Sequence, residues 1–135
     1  MSTTKNTLKP QLIVEKSDGL FWGRVKIKGN LIVDSASNLE RLKKKMKVLI
    51  FDFEDQEVIS FDISYDLTSF FEQYPFVNIA EIANKSGINY SLMRQYSIGY
   101  KFPSSERVGK IEDAIREIGK ELAKIKLHKA GKVVM

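Results

Sequence analysis

Residues 78–104, NIAEIANKSGINYSLMRQYSIGYKFPS, carry the pattern that decides the fold of the C-terminal half of the chain. Asn78 with Glu81 three positions later is a variant of the capping box that starts a short helix. Gly87 can adopt the left-handed backbone that ends this helix. Asn89 then provides the side chain that caps a second helix. The stretch therefore predicts two short helices joined by a tight turn.

The second helix has one apolar side, made by Leu92, Met93 and Tyr96, and its other residues are expected to face outward. This order of elements is that of the helix-turn-helix, in which the second helix presents its first residues to the major groove of DNA. The candidate DNA-contacting residues lie on this helix and on either side of it. They are Lys85, Asn89, Tyr90, Ser91, Arg94, Gln95, Tyr100, Lys101 and Ser104.

The same 27 or so residues resemble the Cro/repressor (Xre-type) helix-turn-helix family, as an ordered set rather than as one short motif. The matching features, in chain order, are Ala83, Gly87, Ile88, Gly99 and the pair Pro103-Ser104. The resemblance implies sequence-specific binding of double-stranded DNA and regulation of transcription.

The charge of the chain supports a nucleic-acid partner. It has 22 Lys+Arg against 17 Asp+Glu, a net charge of +5 and a pI near 9.3. From Ile82 to Ser105 there is no acidic residue, whereas Lys85, Arg94 and Lys101 are present. Basic side chains neutralise phosphates, which is the main sequence-independent source of DNA affinity. Because three cations per subunit are few, we expect binding to need a homodimer.

Composition excludes several classes of protein. The chain of 135 residues is 43% hydrophobic and 29% charged, which is typical of a globular protein. No apolar run approaches the ~20 residues of a membrane span, so no membrane partner is expected. The first ten residues, MSTTKNTLKP, lack the hydrophobic segment of a signal peptide, which favours a cytoplasmic location. The absence of cysteine excludes disulfides and thiolate metal sites.

The sequence offers little for catalysis, and we predict neither an enzyme nor a bound cofactor or metal. His128 is the only histidine and lies among lysines near the C-terminus. The acidic residues Asp52, Glu54, Asp55 and Glu57 could hold a divalent cation. They are more simply a solvated loop, or an edge that meets a basic toxin or another basic surface.

The first sixty residues predict a separate β-β-β-α-β unit. Residues 12–14, 20–27 and 31–33 are rich in strand-forming residues and are separated by the turn signals Asp18-Gly19 and Lys28-Gly29. Ser37 with Glu40 is a capping box, so the helix is expected to start at this point.

The end of this helix is ambiguous. Its apolar stripe runs at spacings of three and four through Leu39, Leu42, Met46, Leu49 and Phe53. Residues 48–53 could instead form a strand that hairpins into the next one, and periodicity does not decide between them. Residues 58–63 alternate and predict the last strand, with Ile59, Phe61 and Ile63 on one side.

Residues 15–46, EKSDGLFWGRVKIKGNLIVDSASNLERLKKKM, resemble the N-terminal domain of HicB-type antitoxins. The resemblance rests on the Asp-Gly hairpin, the aromatic second strand and the capped helix. It implies that the N-terminal domain binds a small, basic, RNA-cleaving toxin while the C-terminal domain represses the operon.

Together these patterns predict an α+β chain with a HicB-like domain at residues 8–63 and an all-α helix-turn-helix domain at residues 66–128. Asp66 is expected to cap the first helix of the second domain, and Ser104 a last helix of about 22 residues, some 33 Å long. This helix is longer than a small bundle can cover. Its distal apolar residues, Ile118, Leu122 and Ile125, form a candidate dimer surface, and packing within one subunit remains the alternative.

Two functions from different classes stay open at this level. The first is a dimeric DNA-binding regulator that can act as an antitoxin. The second is a protein-interaction module whose helix-turn-helix no longer binds DNA. Salt-dependent binding to DNA distinguishes them.

Overall fold

A computed structural model of the protein describes residues 9–131. The elements are β1 (Gln11–Ser17), β2 (Leu20–Ile27), β3 (Asn30–Ala36), α1 (Leu39–Glu54), β4 (Asp62–Tyr65), α2 (Leu67–Gln73), α3 (Ile79–Ser86), α4 (Tyr90–Ser97) and α5 (Ser105–Ala123). The predicted α+β class is confirmed, with three strands, a helix, a fourth strand and further helices in this order. Residue 8, where the first domain was expected to begin, lies outside the described residues.

The four strands form one sheet in the order β3-β2-β1-β4. The first three strands are joined by two-residue hairpin turns, in which Asp18, Gly19, Lys28 and Gly29 all have positive φ. Both central residues of a type I′ turn require this backbone, which is why Asp-Gly and Lys-Gly stand at these points. β4 returns through α1 to pair in parallel with β1, with Leu12 opposite Ile63.

The prediction for the last strand was partly wrong. The strand lies at Asp62–Tyr65, and the chain before it is irregular apart from an isolated bridge at Val58. Val58 and Phe61 are buried in the core, whereas Ile59 is 61% exposed and does not share a face with Phe61. After α1 the chain must first cross back to the edge of the sheet, and two apolar residues three positions apart anchor that crossing.

α1 settles the ambiguity of residues 48–53, which continue the helix to Glu54. The helix starts one residue later than predicted, because Asn38 and not Ser37 is the cap. The Asn38 side chain accepts a hydrogen bond of 2.8 Å from the backbone N–H of Arg41. Asn is as good a cap as Ser, and this choice places Leu39 in the core.

A first hydrophobic cluster lies between the sheet and α1. Leu12, Leu42, Met46 and Ile50 are fully buried there. Gly23, on the inner face of β2, permits the close approach of helix and sheet, since a Cβ at this position would lie 3.0 Å from Leu12 Cδ1 and from Leu42 Cδ2. The sheet face opposite α1 carries the half-exposed side chains of Trp22, Leu31 and Val33.

A second cluster is built by α2 to α5 around Ile82, Met93 and Ile111, which are almost completely buried. The predicted cap of α2 is confirmed, as the Asp66 side chain accepts a hydrogen bond of 2.8 Å from the N–H of Ser69. The same residue ties the helices to the sheet through a hydrogen bond of 3.0 Å from its own N–H to the carbonyl oxygen of Val14.

The last helix is shorter than expected. α5 has 19 residues and ends at Ala123, so Ile125 lies beyond it. The N–H groups of Lys124 and Ile125 bond to the carbonyls three residues back, which tightens and ends the final turn. Beyond Ile118 the helix is held by the contact of Glu121 with Lys85 of α3 rather than by packing on the second cluster. Within residues 9–131, no helix is both long and apolar enough to cross a membrane.

Candidate nucleic-acid interface

The turn between α3 and α4 has the local structure that the sequence predicts. The Asn78 side chain caps α3 by accepting hydrogen bonds from the N–H groups of Ala80 and Glu81. Gly87 ends the helix with a φ of +71°, and the next N–H, of Ile88, bonds back to the carbonyl oxygen of Ala83. Only three residues, 87–89, separate the two helices, so their relative placement is fixed by this turn and by Ile88, which is buried.

Asn89 holds the start of α4. Its side-chain oxygen accepts hydrogen bonds of 2.8 Å and 3.4 Å from the N–H groups of Ser91 and Leu92. Met93 and Tyr96 are buried beneath the helix. Because the Asn89 oxygen is already used for capping, this residue positions α4 and has only its amide nitrogen left for a contact outside the protein.

The predicted outward face of α4 is present in Tyr90, Ser91 and Arg94, which are all exposed. Gln95 is different, because it is half-buried and its side-chain oxygen is enclosed without a hydrogen-bond partner in the described residues. The structure therefore brings three of the four expected helix residues together on one accessible surface and turns the fourth partly inward.

Lys85 does not join this surface as a free cation. Its Nζ lies 3.4 Å from Glu117 and 3.2 Å from Glu121, both on α5. The hydrogen bond to Glu121 is the main cause that raises the pKa of the Lys85 ammonium group above its ordinary value. The sequence could not reveal this pairing, because the carboxylates follow Lys85 by more than thirty residues.

The loop after α4 places the remaining candidates. Gly99 turns the chain with a φ of +78°, where a Cβ would lie 3.1 Å from Thr68 Oγ1 of α2. Tyr100 and Lys101 are then exposed, and Ser104 is engaged as the cap of α5 through the N–H of Arg107. Tyr100 and Lys101 therefore lie directly after the exposed face of α4, whereas Ser104 has a structural role.

Sequence reasoning missed two residues near this surface. Arg107 donates a hydrogen bond of 2.9 Å from Nη1 to the hydroxyl of Tyr96, which holds a guanidinium beside α4. Phe102 is 78% exposed next to Tyr100, which is 73% exposed. The sequence places Arg107 in the first turn after the Ser104 cap. Only the fold shows that this turn lies beside α4.

The predicted dimer residues are in different environments. Ile118 is half-buried and packs against the second cluster of its own chain. Leu122 and Ile125 are 59% and 58% exposed. Beside them a cleft of about 830 Å³ opens between α5 and the segment formed by β4 and α2. Its lining is mainly apolar and includes Ile63, Leu67, Phe70, Ile111, Ile115 and Leu122.

Within residues 9–131, no group of three or more His, Asp or Glu side chains is placed to hold a metal ion. Comparison of the chain with protein-family models, with curated proteins and with solved structures found no match.

Proposed function

We propose that the protein is a sequence-specific DNA-binding regulator of transcription, a binding protein and not an enzyme, that acts as a homodimer in the cytoplasm. The observation that carries the proposal is the Asn89-capped helix α4, which exposes Tyr90, Ser91 and Arg94 on one surface. The N-terminal residues of such a second helix are the ones that reach base edges in helix-turn-helix proteins.

The chemistry of these side chains suits DNA. Arginine can donate two hydrogen bonds to O6 and N7 of guanine, which is the commonest specific contact in the major groove. Tyr90 and Ser91 carry hydroxyls that can bond to phosphate oxygens and so fix the position of the helix. Apart from Glu81 in the first turn of α3, the α3–α4 segment has no carboxylate, and none occurs in the sequence from residue 82 to 105, so the turn and α4 do not repel phosphates.

A dimer follows from the small number of cations. Lys85 is paired to α5, so the DNA contacts proposed here rest on three cations of the described chain: Arg94, Lys101 and Arg107, the last of which also bonds to Tyr96. Each phosphate contact adds little at physiological salt, so one subunit binds weakly. Two subunits on a pseudo-palindromic operator make twice as many DNA contacts, and each subunit uses the same surface.

The Cro/repressor resemblance of residues 78–104 supports this function, and the HicB resemblance of residues 15–46 extends it. On that basis we propose that the regulator can be an antitoxin that represses its own operon, with a small basic toxin as its protein partner. The acidic residues Asp52 and Asp55 are exposed at the C-terminal end of α1 and suit a basic partner.

The test is binding of the full chain to DNA from upstream of its own gene, measured by fluorescence anisotropy against salt concentration. Wild type is compared with Arg94→Ala and with Arg116→Ala, a matched control on α5. We expect Arg94→Ala to cost ~1–3 kcal/mol on the specific site and much less on random DNA. The control is expected to bind as wild type. An equal loss on both DNAs makes Arg94 a phosphate contact, and no loss removes its role.

A second function, that of a protein-interaction module, is favoured by the exposure of Tyr100 and Phe102 beside α4. The pairing of Lys85 to α5 points the same way, because it leaves one cation fewer for DNA. Exposed aromatic side chains are typical of protein interfaces. The helix-turn-helix would then serve a protein partner. If the folded wild-type protein binds no DNA at either low or high salt, the interaction module is favoured over the regulator.

A further inference from the structure

Within residues 9–131, helix α1 has an exposed face on the side away from the sheet. This outer face consists of Arg41, Lys44, Val48, Phe51, Asp52 and, at the helix end, Asp55. It lies opposite the buried stripe that faces the sheet. Val48 and Phe51, in its middle, are 58% and 55% exposed. An exposed apolar centre between charged ends is typical of a contact surface.

After Glu40 in the first turn, the charges of α1 are segregated along the helix. Five cations come first, between positions 41 and 47: Arg41, Lys43, Lys44, Lys45 and Lys47. Acidic residues follow at its end: Asp52, Glu54 and Asp55. The helix macrodipole favours the reverse order, with acids near the N-terminus and cations near the C-terminus. Stability of the helix therefore does not account for this order of charges.

Some of these charges are already used inside the chain. Lys43 pairs with Glu40 at 2.8 Å, and Lys45 pairs with Asp34 at 3.2 Å. Glu54 accepts a hydrogen bond of 3.0 Å from Asn30.

Four charges remain on the outer face. Arg41, Lys44, Asp52 and Asp55 form no salt bridge within residues 9–131. The charge of Lys44 acts only as one of the smaller causes that lower the pKa of the nearby Glu40 carboxyl. The four charges are two cations at one end and two anions at the other, with the apolar residues between them.

We propose that the outer face of α1 binds the same face of a second copy of this chain, with the two helices antiparallel about a two-fold axis at Val48. Residues equally far before and after Val48 then come together. Lys44 meets Asp52 of the second copy, and Arg41 meets Asp55. Symmetry makes each of these pairs twice, as in any isologous interface.

The geometry of a helix supports this register. At 1.5 Å per residue, Lys44 and Asp52 each lie about 6 Å along the helix from the axis, on opposite sides of it. Val48 meets its own copy at the centre. The Phe51 ring lies next to the lysines of the partner, where an ammonium group can rest on its face. A partner of another kind would need anions opposite the cations of this face and cations opposite its anions. A second copy that lies antiparallel provides both by symmetry.

This contact goes beyond the proposed function and does not depend on DNA binding. It uses a surface separate from Leu122, on α5, and from Ile125, just after this helix. At Asp52 and Asp55 it competes with the basic protein partner proposed above. A chain with two different isologous surfaces assembles into a tetramer when the symmetry closes. Such a tetramer carries four α4 helices, enough for two operators at once.

The test uses two charge reversals, Lys44→Glu and Asp52→Lys, in the full chain, with self-association measured by analytical ultracentrifugation. Each reversal alone places like charges together in both symmetric pairs. We expect each to weaken this association step about tenfold or more, because facing like charges are strongly unfavourable. A 1:1 mixture of the two variants is expected to associate as wild type does, since opposite charges then meet at both positions. The double variant Lys44→Glu/Asp52→Lys is expected to regain self-association for the same reason.

Lys26→Glu, on the sheet face away from α1, is the matched control, and circular dichroism verifies that each variant is folded. A wild type without this association step overturns the proposal, as does a mixture that associates no better than its components. If Lys44→Glu lowers DNA affinity but leaves association unchanged, the basic half of α1 is a nucleic-acid contact and the proposal is wrong. Failure of Arg94→Ala to affect DNA binding leaves this inference intact, so the two are tested separately.

Discussion

The Nζ of Lys85, in the last turn of α3, lies 3.2 Å from a carboxylate oxygen of Glu121 on α5. Glu117, one turn earlier on α5, lies 3.4 Å from the same nitrogen. Two carboxylates thus hold a cation that would otherwise be available to a phosphate. The charge of the α3–α4 surface depends on α5 as well as on its own residues.

We therefore expect Glu117→Gln/Glu121→Gln to raise the affinity for random DNA. Release of Lys85 provides one more phosphate contact, so the slope of log K against log salt should steepen by ~0.9. Fluorescence anisotropy at several salt concentrations measures this slope. Asp18→Asn/Asp62→Asn removes two exposed charges that form no salt bridge within residues 9–131 and is the control for net charge. An equal gain in that control would show that only net charge matters.

Ala83 tests the packing of α3 on the second cluster. It is almost fully buried, beside Ile82. Ala83→Glu places an unpaired charge in this cluster and is expected to cost at least ~3 kcal/mol of unfolding free energy. Ala80→Glu, on the exposed side of the same helix, should change it by less than ~0.5 kcal/mol. Thermal melting followed by circular dichroism compares them, and equal melting temperatures would contradict the packing described.

Two glycines are predicted to respond in opposite directions. Gly23→Ala brings a methyl group to 3.0 Å from the ends of Leu12 and Leu42. Overpacking of this kind costs ~1–3 kcal/mol, unless the two leucines shift. Gly109, within α5, has no heavy atom within 4 Å of its Cβ position. Gly109→Ala is expected to stabilise the protein by ~0.5–1 kcal/mol, because alanine is the better helix former. Urea unfolding of both variants measures the difference, and stabilisation by Gly23→Ala would contradict the close approach of α1.

Glu40 gives a prediction on pH. The hydrogen bond and charge of Lys43 hold the pKa of the Glu40 carboxyl below its ordinary value of 4.5. Because the folded pKa is lowered, this pair stabilises the protein above the unfolded pKa and its contribution is lost as pH falls through the folded pKa. NMR titration should show the midpoint of Glu40 rising toward 4.5 in Lys43→Gln. An unchanged midpoint would mean that the charges of Lys44 and Lys47 are sufficient to keep the pKa of Glu40 low.

The sequence was most informative where local chemistry decides the structure. The hairpin turns follow from Asp18-Gly19 and Lys28-Gly29, and the helix caps Asp66, Asn78 and Asn89 follow from their own side chains. Caps and turns involve neighbours in the chain, so their residues are visible in any short window.

The sequence was least informative where distant segments meet. The pairing of Lys85 with Glu121 and the contact of Gly23 with Leu42 depend on how helices and sheet pack. The predicted position of β4 was wrong because the alternation of apolar residues at 58–63 has two explanations. It fits a strand, and it also fits an irregular segment that crosses to the sheet edge with two buried apolar residues. The enclosed side-chain oxygen of Gln95 was likewise not visible in the sequence.

The proposed dimer surface at Leu122 and Ile125 provides the last prediction. Leu122→Glu/Ile125→Glu changes two exposed side chains, so the α3–α4 unit should remain folded. If this surface joins the two subunits on an operator, the variant should lose specific binding at physiological salt while each subunit still binds random DNA weakly. Half-sites in the operator are expected about 10 base pairs apart, or a multiple of that.

Leu31→Glu, on the sheet, is the matched control for adding a charge at an exposed apolar residue. Light scattering and anisotropy on the same samples separate assembly from DNA binding. The Lys44→Glu background removes the contact through α1, so that any remaining dimer reports on α5. A doubly substituted protein that stays dimeric in that background shows that the two subunits meet elsewhere. A wild type that is monomeric yet binds its operator tightly would refute the dimer altogether, because one α4 helix with few free cations would then be sufficient.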